Sequence, residues 1–228
     1  MMFNKLASEE EIKAKFFDGM TLMVGGFATT GVPRKLIDLV VESGVKNIKL
    51  ISNDAGDPDL CQGRLYHADI VSECWHSHVG LNPEFGKMYE EGTHFNLHIT
   101  PQGTLVEKIR CGGAGCGGVL LRAGMNTNND FENDTTQREK VTVDGKECFI
   151  EKPLHADVAL VRARRADYMG NLTYRGTMEN YNSVMAMAAD CTIVEADHIC
   201  DIEELSPDII KTPGVFVNMV LDTQKQYI

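Results

Sequence analysis

The chain has 228 residues, 43% of them hydrophobic and 24% charged, which excludes a disordered chain and supplies enough apolar material for a core. That length suits a single α/β domain spanning 1–228 better than two separate ones. The formal net charge of −11 repels phosphodiester backbones and anionic lipid, which argues against nucleic-acid and membrane partners.

The N-terminal stretch from Met1 to Glu11 has no apolar segment of the kind a secretory leader carries and turns acidic at once. No apolar run reaches the length of a membrane span. Ser8 followed by Glu11 has capping-box spacing, and Ile12, Phe16 and Phe17 supply an apolar face for a first helix. Asp18-Gly19 turns the chain into Met20–Val24, a short apolar run suited to a buried parallel strand. After the loop from Gly25 to Val32, Pro33 fits the first position of a helix and Gly44 its C-terminal stop, with Leu36, Ile37, Val40 and Val41 as the core stripe. Ile48–Ile51 reads as the next strand, leading into Ser52-Asn53-Asp54. Phe95, Leu97 and Ile99 alternate as a strand does, and Thr104–Arg110 returns to helical spacing.

Gly124–Lys140 is polar and rich in Asn and Asp, the composition of a long loop or excursion. The pair Asp144-Gly145 lies between the β-prone runs Val141–Val143 and Glu147–Ile150, which predicts a β-hairpin near 141–150. Further strands are expected at Val158–Val161, Thr192–Glu195 and Val215–Val220, with a helix between Ser183 and Ala189. Helical and strand periodicities alternate along the chain, so the fold class is α/β, an open and mainly parallel sheet flanked by helices.

The sharpest local pattern is the glycine-rich turn between the first strand and the helix at Pro33, comprising Gly25, Gly26, Phe27, Ala28, Thr29, Thr30 and Gly31. Glycine lets backbone approach a ligand closely, and a helix N-terminus offers unpaired N–H groups to negative charge. A tight turn without a ligand is the competing reading. Gly26 and Gly31 have P-loop spacing, but Val32-Pro33 stands where lysine and a hydroxyl residue are required, so nucleotide hydrolysis is not supported. A second cluster contains G-x-G-x-x-G at Gly113, Gly115 and Gly118. It follows a helical segment instead of a strand, which rules out a dinucleotide fingerprint and leaves a connector or a ligand-facing loop.

Other constellations carry less. A strand over Val71–Val79 would put Cys74, His76 and His78 on one face; no fourth ligand stands at a sensible distance, so no metal site is assigned. The seven cysteines are scattered and odd in number, without a framework spacing, and read as reduced thiols in a cytoplasm. Cys111 and Cys116 do not form a C-x-x-C pair. Arg162, Arg164 and Arg165 form a basic run that could meet phosphate, meet a partner or face solvent.

Asp18-Gly19, the apolar strand, Gly25-Gly26-Phe27 and Gly31-x-Pro33 together resemble the signature of the α subunit of family I coenzyme A transferases. Ile51-Ser52-Asn53-Asp54, Thr100-Pro101-Gln102-Gly103-Thr104-Leu105 and Ile109-Arg110-Cys111-Gly112-Gly113-Ala114-Gly115 agree in order. So do Ala156–Leu160, Asp167-x-x-Gly170-Asn171-Leu172-Thr173-Tyr174, Met185–Ala189 and Thr212-Pro213-Gly214. The resemblance runs from about Phe17 to about Asp222. Cys116-Gly117-Gly118-Val119-Leu120-Leu121 is more similar to the bacterial acetate/butyrate–acetoacetate branch than to the succinyl-CoA branch. Two departures are Ala28, where many relatives carry glycine, and Met125-Asn126-Thr127 in place of Gly-Val-Gly-Thr.

The resemblance implies a CoA-transferase or NagB/RpiA-like fold. It also implies an enzyme that moves CoA between short-chain acyl-CoA and carboxylic acids such as acetoacetate or acetate. In such enzymes a glutamate attacks the thioester, and covalent intermediates conserve its energy. That glutamate belongs to a Ser-Glu-Asn-Gly segment on a β subunit. This chain lacks the segment, so no catalytic nucleophile is expected here; Glu132-Asn133 and Glu179-Asn180 read as surface acids. The implied partner is a β subunit, in a heterotetramer or larger assembly, with acyl-CoA as substrate and no permanently bound cofactor. Carried over residue by residue, the turn Gly25–Gly31 contacts CoA and substrate, with Gly103 beside it, while Asn53 and Gln102 face the acyl group. Side-chain amides suit that work, because they donate hydrogen bonds without competing as nucleophiles. The alternatives are a stand-alone sugar-phosphate isomerase, for which no acid–base set is visible, and a non-catalytic CoA-binding module.

Overall fold

The computed structural model describes residues 4–92, 95–123 and 139–223. Seven strands form one sheet in the order β13-β11-β8-β1-β2-β3-β4, where β1 is Thr21–Val24, β2 Ile48–Ser52, β3 Val71–His76, β4 Asn96–Ile99, β8 Ala156–Ala163, β11 Ala189–Ala196 and β13 Met219–Asp222. Every pairing in that sheet is parallel, so helices must make the crossovers. They cover both faces. Leu22, Val24 and Leu50 pack with Leu36, Ile37 and Phe85 in one core cluster; Met23 and Ile51, one position along the same strands, pack with Leu105, Ile109 and Met185 in the other. Period-two alternation thus divides the core between α1–α4 (Glu9–Lys13, Arg34–Ser43, Gly63–His67, Pro83–Glu90) and α5–α6 (Gln102–Gly113, Asn182–Ala186).

A second sheet joins β5 (Val119–Leu121), β7 (Lys146–Glu151) and β6 (Glu139–Val143). The expected hairpin is present: β6 and β7 pair antiparallel around Asp144 (φ 48°) and Gly145 (φ 73°), both left-handed as a type I′ turn requires. Of the loop expected at 124–140, residues 124–138 lie outside the described residues, while Glu139 and Lys140 belong to β6. A third small sheet holds β9 (Arg165–Asp167), β10 (Leu172–Thr173) and β12 (Ile199–Cys200).

Ser8 caps α1 reciprocally with Glu11, as its spacing predicts. Phe17 departs from expectation and is 50% exposed, because α1 ends at Lys13 and its periodicity does not reach that far. Pro33 is the N-cap of α2 and not its first residue, since its ψ of 77° is not helical. Gly44 closes α2 in the left-handed conformation, φ 74°. The expected strand at 215–220 is instead a 3-10 turn, Gly214–Phe216, followed by β13; Val215 is 82% exposed. The helix expected up to Ala189 stops at Ala186, because Ala189 already starts β11.

Candidate functional site

The chain leaves the sheet centre in two directions, from β1 through β2 to β4 on one side and from β8 through β11 to β13 on the other. Ligands of open α/β sheets bind at the carboxyl ends of the strands beside such a switch point. Gly25 follows β1 at that place, and its N–H donates to the Leu160 carbonyl of β8 at 2.9 Å.

The turn after Gly25 is a small hairpin. Phe27 and Thr30 exchange N–H···O bonds of 3.0 and 2.9 Å, leaving Ala28 and Thr29 at the tip. Ala28 has φ 50°, a glycine-favouring conformation. Its N–H is held by Asp54 Oδ2 at 2.9 Å.

A Cβ on Gly25 would lie 2.1 Å from Asn182 Oδ1, one on Gly26 2.5 Å from Val32 Cγ2, and one on Gly31 2.7 Å from the Met178 carbonyl. The chain's own packing therefore requires glycine at all three places. The competing reading from sequence, a tight turn that needs glycine without any ligand, accounts for these contacts.

The start of α2 also differs from expectation. Pro33 supplies no side-chain cap, and Glu195 of β11 takes that role from across the sheet, accepting from the N–H groups of Lys35 and Leu36 at 2.8 and 3.3 Å. Those donors are not open to a phosphate. Burial raises the Glu195 carboxyl to about 7, against the opposing pull of Arg162 and the two N–H groups.

Asn53 and Gln102, 49 positions apart in sequence, are in contact. Gln102 Nε2 donates to Asn53 Oδ1 at 2.9 Å, Ser77 Oγ lies 2.9 Å from the same oxygen, and Asn53 Nδ2 donates to Asp54 Oδ2 at 2.8 Å. Asn53 and Asp54 are fully buried, whereas Gln102 and Gly103 are exposed. Gln102 is thus the member of the chain that presents an amide outward. The hydrogen bonds of Asn53 hold it in place. Asp54 joins this amide chain to the glycine turn, and the sequence reading did not single it out. Its position directly after Asn53 was the available signal.

Cys74, His76 and His78 do not converge. His76 is buried, donates from Nδ1 to the Ser52 carbonyl at 3.1 Å and accepts from Tyr66 Oη at 2.6 Å; His78, half-buried, meets Ser77 Oγ and lies 6.0 Å from the Phe27 ring. Desolvation lowers His76 to about 4, so it is neutral at physiological pH.

The three arginines are paired within the chain, Arg162 and Arg164 with Asp197, and Arg165 with Glu204. In the second glycine cluster, a Cβ on Gly112 would meet the Leu154 carbonyl at 2.0 Å and one on Gly113 the Met187 carbonyl at 2.8 Å, so these two glycines serve helix packing. Glu179 is half-buried, so it is not a plain surface acid; Glu132 lies outside the described residues. Two cavities of about 220 and 280 Å³ flank α3, lined in part by Tyr66, His67 and Arg64, and neither lining includes the glycine turn. Among the described residues no helix is long and apolar enough to cross a membrane.

Comparison with known proteins gives the turn and the amide chain their context. The family described as coenzyme A transferase matches residues 5–223. The chain is 42% identical over 224 residues to the acetate CoA-transferase subunit alpha of Escherichia coli (strain K12), covering 98% of this chain and 99% of that protein. It is 40% identical over 220 residues to the acetoacetyl-CoA:acetate/butyrate CoA transferase alpha subunit of Clostridium acetobutylicum, covering 96% and 98%. Among solved structures, the apoenzyme of the acyl-CoA transferase YdiF from Escherichia coli O157:H7 superposes with a TM-score of 0.86 at 20% identity, over 98% of this chain and 48% of that one. The present chain therefore spans about half the length of that structure. Glutaconate coenzyme A-transferase from Acidaminococcus fermentans gives 0.83 at 17% identity, over 96% and 75%; at these identities both show the fold. From the match over nearly its whole length, this chain belongs to the coenzyme A transferase family.

Proposed function

We propose that this chain is the α subunit of a two-subunit CoA-transferase, exchanging CoA between a short-chain acyl-CoA and an acid such as acetate, butyrate or acetoacetate. The observation that carries the reading is the meeting of the Gly25–Gly31 hairpin with the Asp54–Asn53–Gln102 chain at the carboxyl edge of the sheet. Among the described residues, the N–H groups of Gly26, Thr29 and Gly31 bond to nothing, and unpaired backbone donors in a turn suit a ligand oxygen. Their partner is acyl-CoA, met by residues 25–31.

Gln102, steadied by Asn53, donates to the oxygen that gains charge when the thioester is attacked. The attacking carboxylate comes from a β subunit seated over this edge, where the glutamyl-CoA thioester forms. Closure of the two subunits excludes water that would hydrolyse the intermediates. Gly103 allows the backbone beside Gln102 to approach the substrate. The assembly is a heterotetramer or larger, and its compartment is the cytoplasm.

Coexpression with a β-type chain carrying Ser-Glu-Asn-Gly tests this. The pair should exchange CoA between acetyl-, butyryl- or succinyl-CoA and acetoacetate, while the single chain shows neither exchange nor sugar-phosphate isomerisation. Full exchange by the single chain would overturn the assignment.

A further inference from the structure

Two side-chain amides converge on the underside of the glycine turn. Asn180 Nδ2 donates to the Thr30 carbonyl at 3.1 Å and to the Thr177 carbonyl at 3.0 Å. Asn182, the first residue of α6 and fully buried, donates from Nδ2 to the carbonyls of Gly31 and Met178 at 2.9 and 2.8 Å. Its Oδ1 accepts from the Arg162 N–H at 2.9 Å, so both ends of the amide are engaged.

In a planar trans peptide the carbonyl and the following N–H point in opposite directions. Holding the Thr30 and Gly31 carbonyls toward the asparagines therefore turns the N–H groups of Gly31 and Val32 away from them. The Gly31 N–H has no partner among the described residues, whereas Val32 is fully buried with its N packed against Gly26. The bare Cα atoms complete the device. A Cβ on Gly25 would strike Asn182 Oδ1 at 2.1 Å, and one on Gly31 would lie 2.9 Å from its Nδ2, so both glycines leave the space the amide fills.

We infer that Asn180 and Asn182 are positioning residues that fix the peptide orientation of the glycine turn, and so hold the Gly31 N–H toward a negatively polarised oxygen of acyl-CoA. This rests on the reading of the turn as the acyl-CoA site. Failure of that reading is separately visible, because the unaltered α/β pair would then already lack exchange activity.

The test uses the coexpressed pair with acetyl-CoA and acetoacetate. Asn182→Asp keeps the shape and the acceptor for Arg162, but sets an oxygen against the Gly31 and Met178 carbonyls. The expected result is a ~10- to 100-fold fall in kcat/KM for acetyl-CoA, less than the roughly 100- to 1,000-fold cost of an oxyanion donor removed outright, because the Gly31 N–H is misaimed and not lost, with KM for acetoacetate unchanged. Asn180→Ala, at a half-buried position, should raise KM for acetyl-CoA by a few fold in the same selective way, and it carries the test if Asn182→Asp does not assemble.

A further pair separates positioning from space-filling. Gly25→Ala should lower the melting temperature, and adding Asn182→Ala should restore part of it by removing the collision, while KM for acetyl-CoA stays raised. Recovery of that KM in the double variant would overturn the inference. So would a kcat/KM for acetyl-CoA in Asn182→Asp equal to that of the unaltered pair.

Discussion

At the scale of single residues, Asn53 and Gln102 look equivalent in sequence, and the structure gives them different work. Gln102 is exposed, and among the described residues its side-chain amide makes one bond, to Asn53. Gln102→Ala should therefore lower kcat of the α/β pair by about 100-fold, the cost of one removed oxyanion donor, with a melting temperature close to that of the parent. Asn53 is buried among Gln102, Ser77 and Asp54. Asn53→Ala strands those partners and should cost about 1–3 kcal/mol of stability besides activity. Kinetics and thermal melts on the same preparations check both; equal loss of stability in the two variants would refute the division of roles. The family resemblance singled out both amides through their motifs, but their contact was not legible. It depends on the parallel register of β2, β3 and β4, which no local pattern reveals.

At the scale of elements, legibility followed local chemistry. Helix α2 was readable at its C-terminal end, where Gly44 acts through its own backbone preference, while Pro33 marked the helix start to within one residue. Its real N-terminal cap, Glu195, was not readable, since it lies some 160 positions away along the chain. Helix α4 carries a plain signal, Asn82 accepting from the N–H groups of Glu84 and Phe85 with Pro83 at the first turn, and the reading passed over it. Helix α3 has five residues and no side-chain cap, so nothing local announces it. The C-terminus of α2 offers a clean measurement. Gly44 has φ 74°, and a Cβ there would meet nothing within 4 Å, so Gly44→Ala imposes only backbone strain. The expected cost is about 1 kcal/mol, or a melting temperature lower by about 2–4 °C for a chain of this size. An unchanged melting temperature would show that the left-handed cap contributes nothing.

At the scale of the whole molecule, two buried groups on opposite sides of β1 give stability opposite dependences on pH. Glu195 titrates at about 7 in the folded state, above its ordinary 4.5. Between those values the folded chain holds the extra proton, so stability falls as pH rises through the window, by about 3 kcal/mol in all. His76 titrates at about 4, below its ordinary 6.5. There the unfolded chain holds the extra proton, so stability rises with pH between 4 and 6.5, again by about 3 kcal/mol. Over their shared range the two slopes largely cancel. Glu195→Gln keeps a carbonyl acceptor for the Lys35 and Leu36 N–H groups while removing the titration, and so leaves the His76 slope alone. The difference in melting temperature, variant minus parent, should climb by several degrees from pH 4.5 to 7.5 and then level off. Contributions shared by the two proteins drop out of that difference, including those of the many surface carboxylates. A difference that stays flat across the range would mean that Glu195 remains ionised in the folded chain, with the helix N-terminus and Arg162 outweighing its burial.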